Sequence, residues 1–350
     1  MTDSLIESEN NFSDLVISWY EANKRALPWR KTATPYHVWL SEIILQQTRV
    51  SQGLPYYYIF LDNFPTVYDL AKASQEEVLR LWQGLGYYSR ARNLHATAKM
   101  IVDEYDGEFP DNYAELIKLK GVGPYTAAAI ASICFGESVP VIDGNVYRLI
   151  ARAFGIYDNI ADPKSRKIFE KVLDQLVPRR FAGAFNQGMM ELGALVCKPT
   201  SPACDHCPLT AICYAFEKKV QSELPVKIKK QKIKKRDFIY HVWTYGDQVA
   251  MRKRPSGDIW QGLYDFHLEE STEKAMAAES GFETVNVSKK YTHILSHQRI
   301  EAVFYRHEVQ SEYTFRQLAE NHNLSVYSKE EIVTLPKPKL IVNYLHESSF

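Results

Sequence analysis

The residues with the clearest chemistry are four cysteines within seventeen residues, C-K-P-T-S-P-A-C-D-H-C-P-L-T-A-I-C. Their spacing, C-x6-C-x2-C-x5-C, contains a single C-x2-C pair, whereas a structural zinc site usually has two such pairs far apart. Four thiolates held by short loops suit a cubane [4Fe–4S] cluster, so the spacing favours iron–sulfur over zinc, which stays the alternative. The cysteines concerned are Cys197, Cys204, Cys207 and Cys213.

Two carboxylates stand in surroundings that could give them different protonation states. Glu42 lies among apolar residues in W-L-S-E-I-I-L-Q-Q-T, on a predicted helix where burial would raise its pKa. Asp143, in V-P-V-I-D-G-N-V-Y, precedes a helix predicted over 146–154, whose free amides and dipole would keep its carboxylate charged. The plainer alternatives are an exposed first helical turn for Glu42 and a simple helix cap for Asp143.

The stretch L-K-G-V-G-P-Y-T, residues 119–126, is predicted to form a tight turn between two helices. Gly121 and Gly123 permit positive φ, and free amides at the start of the second helix could form a nest for an anion. An ordinary corner between helices would need the glycines equally. The turn alone leaves both interpretations open.

Composition and charge narrow the possible functions. A length of 350 residues predicts two or three domains, and a formal net charge of zero gives no general support for nucleic-acid binding. No run of eighteen apolar residues is present, and the acidic, polar N-terminal residues do not resemble a secretory signal, so we expect a cytoplasmic protein without a membrane helix. Four of five cysteines cluster, which indicates metal binding rather than disulfides; the fifth, Cys134, is expected to be a core thiol.

The pattern of apolar residues changes character along the chain. It is helical from about residue 12 to 218, and the stretch 226–236, V-K-I-K-K-Q-K-I-K-K-R, then reads as a basic linker that could also contact a polyanion. Residues 238–245 and 249–251 predict a β-hairpin. Further strands are predicted at 284–288, 299–307 and 325–327, and helices near 272–280, 315–321 and 336–346. The C-terminal third is therefore predicted to be a separate α+β domain.

The cysteine spacing, the G-V-G turn and the V-I-D-G-N motif together resemble the endonuclease III superfamily of base-excision DNA glycosylases, and within it the MutY-type family. The resemblance implies a multidomain protein: an all-α helix-hairpin-helix core with a [4Fe–4S] cluster loop, followed by an α+β domain of the Nudix type. It implies a catalytic region over 1–220, a linker over 221–236 and a lesion-recognition domain over 237–350. Within the catalytic region, a six-helix-barrel subdomain would span about 29–136, and an iron–sulfur subdomain about 8–28 and 137–220.

The resemblance also implies roles for the central residues. Glu42 matches the general acid that protonates adenine and then activates water, Asp143 matches the carboxylate that stabilises the sugar cation, and Asn145 would orient groups around it. Tyr125 stands where bifunctional members carry a lysine that attacks the sugar as an amine and then cleaves the strand. Because tyrosine cannot form that Schiff base, the expected enzyme removes the base and leaves the strand intact.

The remaining implied site residues serve the DNA and the flipped base. Stacking wedges and groove-side amides are the tools by which a glycosylase extrudes a base. The adenine pocket would contain Trp29, Arg30, Leu45 and, more weakly supported, Gln187. The DNA would be contacted by Arg25, Gln47, Thr48 and Tyr87, and a backbone phosphate would be held by Gly121, Val122 and Gly123. For Trp29 and Tyr87 the residues alone favour ordinary packing.

The C-terminal domain is expected to recognise 8-oxoguanine. Residues 258–282 lack the glycine and glutamates of a Nudix box, so the domain resembles a binding module without hydrolase metal chemistry. The family uses a Phe-Ser-His loop, and this chain reads H-I-L-S-H-Q over 293–298. Ser296 and His297 match, while Leu295 replaces the aromatic residue and loses its stacking face.

The resemblance therefore predicts a monomer that acts on double-stranded DNA with adenine opposite 8-oxoguanine or guanine, nucleoid-associated while on DNA. One rival is a glycosylase/lyase acting on oxidised pyrimidines, against which Tyr125 and the C-terminal domain speak. The other is a non-catalytic iron–sulfur DNA-binding protein, against which the paired motifs of Glu42 and Asp143 speak.

Overall fold

The computed structural model describes residues 2–228, 233–271 and 284–348, with side chains for 12–228, 233–270 and 286–348. Its contacts divide the chain into two compact units, Met1–Lys72 with Asn93–Lys229, and Ala73–Arg92 with Lys230–Phe350. The domains predicted from the sequence, 1–220 and 237–350, are each one continuous stretch of the chain. The contacts instead group residues 73–92 with the C-terminal fold.

The described residues up to 218 are almost wholly helical, as the periodicity predicted. The helices are α1 (Thr2–Asn23), α2 (Pro28–Lys31), α3 (Pro35–Leu45), α4 (Val50–Asn63), α5 (Val67–Lys72), α6 (Gln75–Leu81), α7 (Ser89–Tyr105), α8 (Tyr113–Leu116), α9 (Pro124–Phe135), α10 (Gly144–Phe154), α11 (Arg166–Leu176), α12 (Ala182–Leu195) and α13 (Tyr214–Lys218). Helix α6 and the first residues of α7 belong to the second unit.

Helix α12 lies at the centre of the first unit, where it packs against α1, α9 and α10. Its buried residues include Phe185, Met189 and Leu192, which join the apolar core. A Cβ placed on Gly193 would lie 2.7 Å from the Cβ of Asn145 and 3.0 Å from its carbonyl oxygen. Glycine at this position therefore lets α12 approach the start of α10, where Asp143 and Asn145 stand.

The second unit is built on a mixed sheet, as expected of an α+β domain. Its strands are β1 (Lys234–Tyr245), β2 (Gln248–Lys253), β3 (Tyr264–Asp265), β4 (His267–Ser271), β5 (Thr284–Val287), β6 (Tyr291–Ile294), β7 (Gln298–Glu308) and β8 (Ser325–Ser328). Three helices follow or interrupt them: α14 (Glu312–Asn321), α15 (Lys329–Thr334) and α16 (Lys339–Glu347). The strand order is β3-β2-β1-β7-β5, with β4 on β1, β6 on β7 and β8 on β2.

The sheet's centre is the parallel pair of β1 and β7, in register from Lys234↔Gln298 to Thr244↔Glu308. Alternate side chains of β1 point into a core in which the ring of Phe304 lies between Tyr240, 4.9 Å away, and Tyr344 of α16, 4.0 Å away. Such stacked aromatic pairs add to the free energy gained from burial. This core fixes β7, and with it the loop that precedes it.

The predicted hairpin is confirmed as the antiparallel pair of β1 and β2, with Thr244 opposite Val249. The strands predicted at 284–288, 299–307 and 325–327 are confirmed as β5, β7 and β8, and the helices at 315–321 and 336–346 as α14 and α16. The helix predicted near 272–280 lies outside the described residues. The basic linker predicted over 226–236 extends too far at its C-terminal end, because β1 begins at Lys234 and pairs there with β7.

Candidate active site

Glu42 is a buried carboxylic acid in the first unit. It is the eighth residue of α3, and residues on every side of it along that helix are buried, so only 8 % of Glu42 is exposed. Burial is the main reason why the pKa of Glu42 is raised to about 7; the charge of Asp143 adds to the rise, and a hydrogen bond from Tyr125 and the charge of Arg30 oppose it. The alternative of an exposed first turn is wrong.

Tyr125 is placed by the turn that precedes it. Gly123 caps the N-terminus of α9, Pro124 is its first residue, and Tyr125 is the second. The hydroxyl of Tyr125 is hydrogen-bonded to the carboxyl group of Glu42 and lies 3.3 Å from the sulfur of Met190. Burial raises the pKa of Tyr125 well above its ordinary value, so this hydroxyl is neutral and donates its proton to a hydrogen bond.

Asp143 caps α10, as the sequence predicted. Its carboxylate accepts hydrogen bonds from the backbone amides of Asn145 and Val146, both at 2.8 Å, and from the side-chain amide of Asn145 at 2.7 Å. Burial nevertheless raises the pKa of Asp143, and the three hydrogen bonds and the charge of Arg148 oppose that rise. The expectation that the cap alone would set the state of Asp143 is therefore incomplete.

Asn145 connects Asp143 with the interior of the protein. Its side-chain carbonyl accepts a 2.9 Å hydrogen bond from Nη2 of Arg148. The same guanidinium donates to the carbonyl oxygens of Gly193 at 2.7 Å and Cys197 at 2.6 Å. Arg148 thus connects Asn145, the partner of the Asp143 carboxylate, with Cys197, the first of the four clustered cysteines. Arg148 was not predicted as a site residue from the sequence.

One face of α12 carries three further polar or polarisable contacts to this region. Gln187 accepts a 2.9 Å hydrogen bond from Tyr20, the sulfur of Met190 lies 3.3 Å from the hydroxyl oxygen of Tyr125, and Glu191 is bound by arginines. Their spacing of three and four residues puts them on the same side of the helix. Glu191 was not predicted as a site residue, although it is a charged residue within an apolar run, M-M-E-L-G-A-L. The same pattern indicated Glu42.

Arg25 and Arg30 both bind Glu191. Arg25 donates to it from its backbone amide at 3.0 Å, from Nε at 2.8 Å and from Nη2 at 2.7 Å. Arg30 donates from Nη1 at 3.1 Å and from Nη2 at 3.0 Å. Although burial alone would raise it, these bonds lower the pKa of Glu191 to about 2. The two arginines predicted for different tasks are therefore joined by one carboxylate.

The other residues predicted for the adenine pocket and the DNA occupy diverse positions. Trp29 is buried with its ring 5.1 Å from that of Tyr57, so packing accounts for it and its place in a pocket stays a prediction. Leu45 is the last residue of α3, three positions after Glu42. Gln47 follows, exposed and with φ of 55°, while Thr48 donates to the carbonyl oxygen of Gln46 at 3.3 Å.

The turn between α8 and α9 has the predicted form. Gly121 has φ of 77°, and a Cβ on it would lie 2.6 Å from the Cβ of Asn93, so only glycine fits there. Val122 is buried beneath the turn, whereas Gly121 and Gly123 are exposed. Apart from its chain neighbours, no atom of the described residues lies within 4 Å of the position that a Cβ on Gly123 would take. The turn is thus open to a ligand on the side of the α9 amides.

Two family models match the chain. Residues 40–175 match the HhH-GPD superfamily of base excision DNA repair proteins, and residues 239–347 match the NUDIX domain. The adenine DNA glycosylase of Buchnera aphidicola (subspecies Acyrthosiphon pisum) is 34 % identical over 95 % of this chain and 97 % of its own length. The chain belongs to the adenine DNA glycosylase family.

Further relatives and solved structures match about three fifths of the chain. The adenine DNA glycosylase of Homo sapiens is 44 % identical over 61 % of this chain and 41 % of its own. Among solved structures, a thermostable thymine-DNA glycosylase superposes with a TM-score of 0.57, 28 % identity, and coverage of 62 % of this chain and all of its own. Endonuclease III trapped covalently on DNA gives a TM-score of 0.52 with 25 % identity over 61 % of this chain and 98 % of its own. Both the helix-hairpin-helix core and the Nudix-type fold predicted from the sequence are therefore confirmed.

The four clustered cysteines of this adenine DNA glycosylase line one cavity, and none forms a disulfide. Arg152 points a guanidinium nitrogen at the sulfur of Cys197, 3.4 Å away, as cations and N–H groups do around metal-bound thiolates. In the part of the chain that the structure describes, no three His, Cys, Asp or Glu side chains are placed to hold a metal ion. Four thiols around one cavity are the donor set of a four-iron cubane, so these residues fit such a cluster.

A cleft in the second unit brings together residues predicted for two tasks. Leu295, Ser296 and His297 form the loop between β6 and β7, which is closed by a 2.8 Å hydrogen bond from the amide of Leu295 to the carbonyl of Gln298. Ser296 and His297 are exposed and lie 3.2 Å apart through their side chains. They line the same cleft as Tyr87, which is half-exposed and has φ of 50°.

Trp260, which the sequence reading did not single out, also lines this cleft. Its ring lies 5.4 Å from that of His293, and its loop is held by hydrogen bonds from Arg92 to Gln261 at 2.9 Å and from Arg254 to Ile259 at 3.0 Å. The cleft therefore has an aromatic wall even though its recognition loop carries Leu295.

Among the described residues, no helix is long and apolar enough to cross a membrane.

Proposed function

We propose that this adenine DNA glycosylase is monofunctional and hydrolyses the N-glycosidic bond of adenine paired with 8-oxoguanine or guanine in double-stranded DNA. The observation that carries the proposal is the buried group of Glu42, Tyr125 and Asp143. It joins a carboxylic acid whose pKa is about 7 to a carboxylate that accepts three hydrogen bonds. Such a pair supplies an acid and an anion in one site near neutral pH.

The proton of the pair belongs on Glu42. Two buried carboxylates close to each other resist being charged together, so one of them keeps a proton. Asp143 accepts three hydrogen bonds that stabilise its anion, whereas Glu42 has the single bond from Tyr125. Glu42 is therefore the acid and Asp143 the anion.

The chemical roles follow from these states. Glu42 donates its proton to a ring nitrogen of adenine, and the C–N bond breaks with its electron pair leaving on the base. The oxocarbenium-like sugar that forms is stabilised by the negative charge of Asp143. Glu42, now ionised, takes a proton from the water that adds to the sugar carbon. Adenine and an abasic site are the products.

Strand cleavage is not expected, because the residue at the N-terminus of α9 is Tyr125. A lyase step needs an amine that forms a Schiff base with the opened sugar. Tyr125 instead has a phenol of raised pKa, hydrogen-bonded to Glu42, which is a poor nucleophile. The turn of Gly121, Val122 and Gly123 would hold a phosphate of the DNA backbone beside it.

Recognition of the opposite base is assigned to the cleft of the second unit. Ser296 and His297 offer hydrogen-bond groups to a base edge, and Tyr87 is exposed and positioned to stack or wedge. The double substitution Ser296→Ala with His297→Ala should lower the ratio of excision rates for duplexes carrying 8-oxoguanine and guanine. A ratio equal to that of the parent protein would detach the cleft from lesion recognition.

The cofactor proposed for the cavity of Cys197, Cys204, Cys207 and Cys213 is a [4Fe–4S] cluster. Its four bonds to thiolates would hold the loop of residues 197–213 against α10, and iron analysis of the purified protein should give about four iron atoms per chain. The wild-type protein is expected to act as a monomer. Analytical ultracentrifugation with and without duplex DNA tests that expectation.

A further inference from the structure

Glu191 is the centre of a buried ionic cluster that neither the motifs nor the proposed chemistry account for. Only 1 % of Glu191 is exposed, and its carboxylate receives five hydrogen bonds from Arg25 and Arg30. The arginines differ in exposure, since 37 % of the Arg25 side chain is accessible but only 14 % of that of Arg30. Breaking such a buried group by removing one partner leaves an uncompensated charge inside the protein.

Arg30 is the more deeply buried of the two arginines, and its guanidinium is held at several points. The guanidinium of Arg30 is bound by both oxygens of Glu191 and by the carbonyl of Arg25, at 3.0 Å, and lies 5.4 Å from the ring of Tyr20. These contacts leave its Nε buried and without a hydrogen-bond partner. A planar fork fixed at so many points has one orientation, which is how buried arginines are used to set a local field.

The helix face that carries Glu191 also reaches the residues of the proposed chemistry. Met190, its neighbour, contacts the hydroxyl of Tyr125, which binds Glu42. One turn earlier, Gln187 is held by Tyr20, whose ring lies beside Arg30. Helix α12 therefore links the arginine pair with the catalytic acid through side chains three and four residues apart.

We propose that Glu191 is a positioning residue for base excision: it fixes the guanidinium of Arg30 and neutralises part of the charge that Arg30 presents to Glu42. This inference rests on the proposed role of Glu42 as the acid. The charge of Arg30 favours the ionised form of Glu42, and the negative charge of Glu191 opposes that effect. Glu191 thereby helps to keep the acid protonated at the pH at which it must give up its proton.

The charged and titratable groups that act on this network come from several elements. Glu42 is faced by Tyr125, Asp143 and Arg30, and it acts in turn on the thiol of Cys134. Glu191 is faced by Arg25, Arg30 and the phenol of Tyr20. Removing the charge of Glu191 leaves Arg30 uncompensated and should lower the pKa of Glu42, whereas removing the charge of Arg30 should raise it.

Two substitutions with opposite signs therefore test the inference in the full-length protein. Glu191→Gln should move the alkaline limb of the single-turnover excision rate to lower pH, and Arg30→Gln should move it to higher pH, each by about half a pH unit or more. Glu191→Gln should also excise adenine more slowly at neutral pH, because a smaller fraction of Glu42 then carries its proton. Loss of structure would not shift the two limbs in opposite directions.

A double-mutant cycle adds a second criterion. If Glu191 acts through Arg30, the double variant Glu191→Gln with Arg30→Gln should be no slower than the slower of the two single variants. Glu170→Gln is the matched control, because Glu170 forms a partly exposed i,i+4 pair with Arg166 on α11, and it should leave the rate and the pH profile unchanged. Rate losses that multiply in the double variant would overturn the proposal.

The pKa of Glu42 can also be measured without catalysis, by NMR titration of its carboxyl carbon. Parent protein, Glu191→Gln and Arg30→Gln should give three distinct values, with the parent between the other two. If all three agree, Glu191 has no influence on the acid and the inference is wrong. A parent protein that excises no adenine would overturn the proposed function, and the titration would still decide this inference.

Discussion

The side-chain amide of Asn145 donates a 2.7 Å hydrogen bond to Asp143, and its carbonyl oxygen accepts a 2.9 Å bond from Arg148. The bond from Arg148 therefore orients the side chain of Asn145 so that its amide group faces the carboxylate of Asp143. A carboxylate that must stay charged in a buried site needs such donors, because burial alone raises the pKa of Asp143.

Asn145→Ala should slow excision by about 10- to 100-fold, because a hydrogen bond to a charged group contributes about 1.5–3 kcal/mol. The loss should appear in the single-turnover rate, with binding of the duplex changed far less. Asn63→Ala is a suitable control, since the amide of Asn63 only binds a carbonyl on the exposed side of α4. Equal rates for Asn145→Ala and the parent would show that Asp143 does not depend on this donor.

The excision rate should depend on pH with the sign expected for a protonated acid. Glu42 acts with its proton on, and its pKa is about 7, so the rate should be highest below that pH and fall about tenfold per pH unit above it. Single-turnover rates between pH 5 and 9 measure the profile. Glu42→Gln should bind the duplex and lose excision by several orders of magnitude, and near-normal turnover in this variant would exclude Glu42 as the acid.

Tyr125→Phe should shift this profile rather than abolish it. The hydroxyl of Tyr125 donates a hydrogen bond that lowers the pKa of Glu42, so its removal should raise that pKa and move the alkaline limb to higher pH. Tyr58→Phe, at an exposed position on α4, is the control. A limb that moves to lower pH would mean that the phenol does not stabilise the ionised acid.

Four histidine rings lie together in the second unit and predict acid sensitivity there. Nδ1 of His241 lies 3.1 Å from Nε2 of His307, and the ring of His267 lies 4.3 Å from that of His322. Burial lowers the pKa of both His267 and His307 to about 4, and that of His241 also falls. The neighbouring charges are Glu269, 3.6 Å from His241, and Arg252, which disfavours protonation of His267.

Burial keeps His241, His267 and His307 neutral in the folded protein at pH values below about 6.5, where they are protonated in the unfolded chain. The free energy of unfolding of this unit should therefore be at its full value above pH 6.5, and fall by a few kcal/mol as the pH drops toward 4. Fluorescence of Trp243, whose ring is stacked 5.1 Å from His267, reports the transition when compared with Trp243→Phe. His307→Gln should flatten the pH dependence, and a profile equal to the parent's would contradict the assignment.

The local features of the site could be predicted because each is encoded in a short stretch. Asp143 precedes a helix and caps it, the glycines of the turn adopt the expected backbone, and Glu42 is buried by the apolar residues of its own helix. Glu191 carried the same signal as Glu42, a charge within an apolar run, and could have been found by it. Its arginine partners are about 160 residues away in the chain, so the pairing itself could not be read from the sequence.

Features that depend on distant parts of the chain were missed or only partly predicted. The raised pKa of Asp143 comes from burial by several helices, which no cap motif encodes. The grouping of residues 73–92 with the C-terminal fold comes from contacts such as that of Arg92 with Gln261. The aromatic wall that Trp260 gives to the cleft of Leu295 likewise appears only when both loops are placed in space.

The most direct test of the account is one excision assay on four duplexes, pairing adenine or thymine with guanine or 8-oxoguanine, analysed with and without alkali. We predict release of adenine, fastest opposite 8-oxoguanine, no release of thymine, and strand breaks only after alkali. Breaks that form without alkali, or equal rates opposite guanine and 8-oxoguanine, would contradict it.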